Sequence, residues 1–207
     1  KEIAGKVSSV EDGREAYNGK HDFNGDGEYD LLSEVIFGAA SNAAKRDLGT
    51  AGNSNPTDIT KETVEAFIAA RKIINDNAGS ALTEDQLQAL YAQRDIAIGG
   101  WEKALAATAI HYINDLSADL EPLKNGEAFD FETAAKHFSE LKGFALGLQF
   151  SPFSKLSSAD FVKVHNLIGN KPVLVAADIQ AYQDNLIIAR DILRDALEYD
   201  AENVANW

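Results

Sequence analysis

Residues 83–118 read TEDQLQALYAQRDIAIGGWEKALAATAIHYINDLSA. The segment opens on Thr83-Glu84-Asp85-Gln86, a capping box in which Thr83 accepts from the third helical N–H and Gln86 reaches back to the Thr83 amide. Leu87, Leu90, Tyr91, Arg94, Ile98, Trp101, Leu105, Thr108, Tyr112 and Leu116 then recur at three- and four-residue steps. That is the period of one helix face. At ~1.5 Å per residue the helix is on the order of 50 Å long, the height of a long bundle. Two features interrupt the pattern. Gly99-Gly100 costs about 1–2 kcal/mol relative to alanines and marks a kink or a close helix contact. Arg94 lies inside the apolar stripe, so burial there demands a carboxylate or carbonyl partner. Around Ala106–Ile113 the opposite side is apolar too, and a helix apolar on two sides belongs in the middle of a fold.

The flanking chain supplies rods to pack on it. Upstream, Leu31 to about Arg46 reads as a helix capped by Asp30, and GTAGNSNP (49–56) as a surface loop. Thr60 opens a helix to about Asn77, with Val64, Phe67, Ile68 and Ile74 as its apolar side. Downstream, Glu121-Pro122 through Gly126 turns the chain. Asp130 then caps a helix whose stripe is Phe131, Ala134, Phe138, Leu141, Ala145 and Leu148. The apolar cluster from Phe144 to Phe153 has two readings, the lining of a ligand pocket or, as the expected one, packing at the bundle end. Ser157-Ser158-Ala159-Asp160 starts a short helix to about Ile168, broken by Gly169-Asn170-Lys171-Pro172. A last helix runs from Val175 or Asp178 to near Asn203, with Ile179, Tyr182, Leu186, Ala189, Leu193 and Leu197 as its seam. No stretch sustains strand-like alternation. The expected class is all-α: one antiparallel helical bundle spanning residues 1–207, with its long central helix at about 84–118.

Composition narrows the chemistry. A formal net charge of −14 over 207 residues disfavours a nucleic-acid backbone or an anionic membrane surface as partner. Without cysteine there are no disulfides, thiolate nucleophiles or iron–sulfur ligands. No apolar run reaches the ~18 residues of a transmembrane helix. Lys1 begins the chain without a signal peptide or lipobox, as expected of a trimmed or processed precursor.

Two groups of residues carry possible chemistry. The first is Asp22-Phe23-Asn24-Gly25-Asp26-Gly27-Glu28-Tyr29-Asp30-Leu31, within the N-terminal segment 1–48. Asp22, Asn24, Asp26 and Asp30 occupy loop positions 1, 3, 5 and 9, glycine occupies position 6, and Glu28 offers its backbone carbonyl at position 7. Alternate residues of a tight loop converge in this way on a calcium ion. The decapeptide is similar to the calcium loops of integrin-type repeats. An EF-hand needs glutamate at position 12, where Ser33 stands, and an Asn-Gly-Asp-Gly turn that binds nothing accounts for the same residues. The second group is His137 and Glu140. Among the four histidines only His137 has a carboxylate three residues on, near it on a helix surface. A borderline nitrogen beside a hard oxygen suits iron or zinc, or a proton relay. The competing reading is a surface pair contributing a few tenths of a kcal/mol. His111 reads as a hydrogen-bonded core residue, or as a third member of the site if its helix packs on that of His137. The chain lacks the zinc-protease His-Glu-x-x-His, the Glu-x-x-His of di-iron bundles, the Gly-x-Ser-x-Gly elbow and the Walker loop.

Two segments, WEKALAATAIHYIND (101–115) and KHFSELKGFALGLQFSP (136–152), resemble the imelysin-like family, and within it a branch of bacterial surface and periplasmic lipoproteins. The pattern extends over roughly residues 60–200. The family signature is Gly-x-His-x-x-Glu; here His137 and Glu140 match it, and Ala135 stands at the glycine position. The resemblance implies an all-helical exported binding protein, periplasmic or on the cell surface, with a lipid-anchored precursor. It further implies a link to iron, haem or other metal uptake, a metal ion or small ligand as partner, and an outer-membrane or surface protein as a further partner. A two-bundle relative would make this chain a fragment. Two alternatives stand beside this reading: a metal-dependent peptidase, which needs a third ligand and an open coordination position, and a calcium-stabilised interaction module without catalysis.

Overall fold

The structure, a computed structural model, describes residues 38–207. The calcium-type loop (Asp22, Asn24, Asp26, Glu28, Asp30) and the expected cap at Asp30 lie outside those residues. Among the described residues the chain forms seven α-helices and no strand: α1 (Gly38–Thr50), α2 (Ile59–Asp76), α3 (Glu84–Lys124), α4 (Phe131–Gly147), α5 (Ser158–Ile168), α6 (Ala176–Leu197) and α7 (Ala201–Asn206). A single 3₁₀ turn, Leu148–Phe150, extends α4. The fold is all-α, with the helices packed as a bundle.

Helix α3 is the axis. Helices α1, α2, α4, α6 and α7 all pack against it. Cross-helix contacts fix the directions. Asn77 meets Gln86, and Lys103 meets Glu62. His137 meets Asp119, Gln183 meets Glu121, and Arg190 meets Asn114. As residue numbers rise on α2, α4 or α6, those on α3 fall, so all three run antiparallel to it. The capping box forms as the sequence requires: Gln86 N–H donates to Thr83 Oγ1, and Thr83 N–H donates to Gln86 Oε1. Helix α3 nonetheless runs past the expected turn and includes Pro122. Proline removes one N–H and crowds the carbonyl four residues back. That residue, Ala118, is exposed, where water can serve the orphaned carbonyl.

Small side chains make the axis work. Ala104 and every residue from Ala106 to Ile110 are buried, so neighbours cover α3 on all sides there. Ile113, Leu116 and Leu120 continue the core downward, against Ala134, Phe138 and Leu141 of α4 and Ile179, Leu186 and Leu193 of α6. The seam expected for α6 is buried throughout. In α4 only Phe131 departs from its stripe, about half exposed at the first turn.

Two expectations about faces and ends fail, each for a local reason, and the condition set on Arg94 does not arise. On α2 the buried residues are Ile59, Thr63 and Ala66, whereas Val64, Phe67, Ile68 and Ile74 remain half exposed or more. The small face wins because it fits against Gly100, where an added Cβ would stand 2.1 Å from Thr63 Oγ1. Phe67 keeps a ring contact with Trp101, at 5.2 Å between centroids. Arg94 is not buried; it pairs with Asp95 and lies over the rings of Tyr91 and Phe153. The last helix breaks at Glu198, which adopts a left-handed backbone (φ 58°). Tyr199 then turns inward, its hydroxyl donating to the Lys103 carbonyl, and α7 folds back until Trp207 Nε1 donates to the Arg46 carbonyl.

The α2–α3 crossing yields a paired test. Gly100→Ala forces Thr63 aside in a packed contact and should cost about 1–3 kcal/mol. Gly99, whose added Cβ meets nothing within 4 Å, should tolerate alanine with no loss and a gain of up to about 1 kcal/mol. Urea unfolding of the two variants checks this; equal stability would contradict the close approach.

Candidate ligand site between helices α1, α3 and α4

The antiparallel register of α3 and α4 brings His137 to the acidic stretch Asp115–Asp119. His137 Nδ1 lies 2.7 Å from Asp119 Oδ2, and its Nε2 lies 4.0 Å from Asp115 Oδ2. From α3 itself, His111 Nε2 approaches the same Asp115 Oδ2 at 3.2 Å. Two imidazoles from different helices thus converge on one carboxylate oxygen. The Asp119 carboxylate accepts from Nδ1–H of His137 and so orients that ring. His137 is therefore paired across helices and not with Glu140 on its own helix. None of the four side chains is deeply buried; His137 and His111 are 18% and 26% exposed, enough for a ligand to reach them.

Tyr112 stands at the centre of the cluster. Its ring lies 4.9 Å from that of His111 and 5.7 Å from those of His137 and Phe144. Burial, followed by the negative charge of Glu140, pushes its phenol up to about 12. Glu140 is thus turned toward α3, with Oε2 buried and without a hydrogen-bond partner.

On the other side of Tyr112 lies Arg46 of α1. Its side chain is nearly enclosed, with the residue 8% exposed, and Nε is buried with no hydrogen-bond partner. Burial lowers its pKa, opposed by the fields of Tyr112 and Asp115. His111 is likewise held below the usual imidazole range, first by burial and then by the Arg46 charge, with Asp115 pulling the other way. A buried cation without a complete shell of acceptors is costly, and such groups cluster where a fold binds something. Arg46 is held there because α1 is clamped at its C-terminal end. Buried Asp47 accepts from the Ile59 and Thr60 amides, capping α2 from a neighbouring helix, and Trp207 caps the Arg46 carbonyl. Arg46, His111 and Tyr112 line a cavity of about 380 Å³ together with Asn42, Lys45, Leu48 and Gly49.

A larger cavity, about 580 Å³, opens between Trp101, Leu105, Phe144, Leu148 and Phe150, where the sequence suggested solid packing. Its one carboxylate, the buried Glu102, is already satisfied by Ser151, Ser154 and the Lys155 amide. That cavity is apolar shape without reactive chemistry. The polar groups gather around Tyr112.

The structure thus brings His137, His111 and Glu140 to one crevice. Sequence reasoning missed Asp115, Asp119, Tyr112 and Arg46. The signal for Asp115 was present: it follows His111 by four residues, a spacing that pairs side chains on a helix as well as three does. No family model matches this chain, and no curated protein or solved structure matches it. The assignment of the site therefore rests on its geometry.

Exchange of Glu140 for glutamine removes the negative charge that, after burial, does most to raise Tyr112. The Tyr112 titration, followed by ring-carbon NMR, should move down from about 12 while staying above 10, because burial persists. A titration unchanged in Glu140→Gln would contradict the placement of this carboxylate beside the phenol.

Proposed function

We propose that this chain is a non-catalytic binding protein of imelysin-like type, exported to the periplasm or cell surface, whose site is the crevice around Tyr112. Its ligand in this reading is a transition-metal ion, alone or within a small ligand, in keeping with a role in iron, haem or metal uptake. The observation that carries the reading is the approach of His111 and His137 to one oxygen of Asp115. Asp119 supports it: a carboxylate on the far nitrogen of a ligating histidine orients the ring and raises its basicity.

Distances set what binding requires. As the side chains stand, no group of three or more histidines and carboxylates among the described residues is arranged to hold a metal ion. Ligand atoms around a tetrahedral zinc ion, each ~2.0–2.2 Å from it, are ~3.4 Å apart. His111 and Asp115, at 3.2 Å, already meet that spacing. His137 and Asp115, at 4.0 Å, must close by roughly 0.6 Å, a side-chain adjustment. The overall charge of −14 favours cation approach by long-range attraction. For hydrolysis the site would also need a general base set against a bound water; Asp115 and Asp119 are engaged with the imidazoles, and Glu140 is set against the Tyr112 phenol.

Titration of chelator-treated protein with cobalt(II), read by visible absorption and calorimetry, tests the reading. One equivalent should bind, affinity should be lost in His137→Ala, and Asp119→Asn should weaken it about 10–100-fold. Absence of uptake by the wild type, or uptake equal in His137→Ala, would overturn it.

A further inference from the structure

Arg46 is unexplained by a metal reading, since a cation cannot serve a cation. It approaches the cluster from α1, its Nε carries a proton without an acceptor, and it faces a cavity and not packed core. Bare structural service would call for a carboxylate at bonding distance, as Asp47 one residue on finds the α2 amides. The nearest acidic group in its field is Asp115, which is taken up with His111. What the guanidinium lacks is an acceptor, and the cavity beside it is where one fits.

We propose that the cavity lined by Arg46, His111, Tyr112, Asn42 and Leu48 binds a small organic monocarboxylate, its oxygens accepting from the Arg46 guanidinium. The proposal deepens the binding reading above and rests on it for the site's being a ligand site, but its test needs no metal. Three features select this class. A guanidinium offers a planar fork of donors matched to a carboxylate, and a partly desolvated one strengthens each bond. The volume, about 380 Å³, exceeds what a bare ion fills and lies within the range of pockets for small organic ligands. The walls divide accordingly: the Tyr112 ring and Leu48 offer apolar surface, while Asn42 and His111 supply polar contacts at the head. Charge argues for a monoanion. Lys45 borders the cavity beside Arg46, but Asp115 lies in the same cluster and the chain carries −14 overall, so a phosphate dianion meets more repulsion than a monoanion does.

Sodium benzoate is the probe, with benzyl alcohol as its uncharged counterpart and inorganic phosphate as the competing oxyanion. Binding to the full chain in EDTA is read by ligand-observed NMR and by chemical shifts of the Tyr112 ring. Benzoate should bind saturably at one site, at least tenfold tighter than benzyl alcohol or phosphate. Arg46→Gln should weaken it at least tenfold, and Arg46→Lys, which keeps the charge but not the fork, should weaken it less. If Arg46→Gln fails to fold, Leu48→Trp decides the matter: Leu48 is about half exposed, and a tryptophan there narrows the cavity without touching the arginine, so benzoate binding should fall. Equal binding of benzoate and benzyl alcohol, tighter binding of phosphate, or benzoate affinity unmoved by both Arg46→Gln and Leu48→Trp would each overturn the proposal. Loss of cobalt uptake with benzoate binding intact would remove the metal reading and leave this one standing; the reverse result would remove this one alone.

Discussion

The constraint on which the structure depends is the width of helix α3 at its middle. Between Ala104 and Ile110 the side chains are four alanines, a threonine, an isoleucine and Leu105, and all but Leu105 are buried. A helix this slim lets neighbours come close on every side at once, and close neighbours exclude water and gain dispersion contacts. Thr108 would be a polar intrusion here, but its hydroxyl donates to the Ala104 carbonyl one turn back, so no donor is stranded. Larger residues begin only at Ile113, Leu116 and Leu120, where α4 and α6 provide the matching volume. Above that stretch Gly100 does for α2 what the alanines do for the others.

Close packing sets the register, and the register makes the site. Helix α4 lies antiparallel to α3 with Phe138, Leu141 and Ala145 buried against it. That arrangement leaves His137 and Glu140, on the edges of the same face, pointing at whatever α3 presents there. What α3 presents is a run with one chemistry-bearing residue per turn: His111, Asp115, Asp119, with Tyr112 alongside. Helix α1 then delivers Arg46 from the third side. The result is a polar crevice of opposite charges on a nonpolar frame, with Glu140 Oε2 and Arg46 Nε as its two unsatisfied members. Two such groups flanking one aromatic ring serve binding better than stability.

Much of the frame was legible in the sequence because local chemistry decides it. The Thr83–Gln86 box, the Asp130 cap and the α6 seam are determined by residues within a turn or two of one another. The failures are of another kind. Helix α2 carries two candidate faces, and hydrophobicity alone favours Phe67 and Ile68; the choice of Thr63 and Ala66 needs knowledge of Gly100 across the interface. The break at Glu198 depends on Tyr199 reaching Lys103, almost a hundred residues away in the chain. At the site, His137 and Glu140 were visible as a pair on one helix, but the partner that orients His137 belongs to α3. Arg46 could be seen only as the end of a helix, since nothing local reveals that an arginine will be buried beside Tyr112 of α3.

If the slim middle of α3 is the part that α1, α2, α4, α6 and α7 share, it must be the last to open. Native-state amide hydrogen exchange measures this directly. Amides from Ala104 to Leu120 should exchange only through global unfolding, with the free energy found by denaturant titration. Those from Gln88 to Ile96, which lie where exposed Tyr91 and Ile96 mark a thinner covering, should exchange through local opening at lower cost. Exchange of the 104–120 amides ahead of those in α6 would contradict the account.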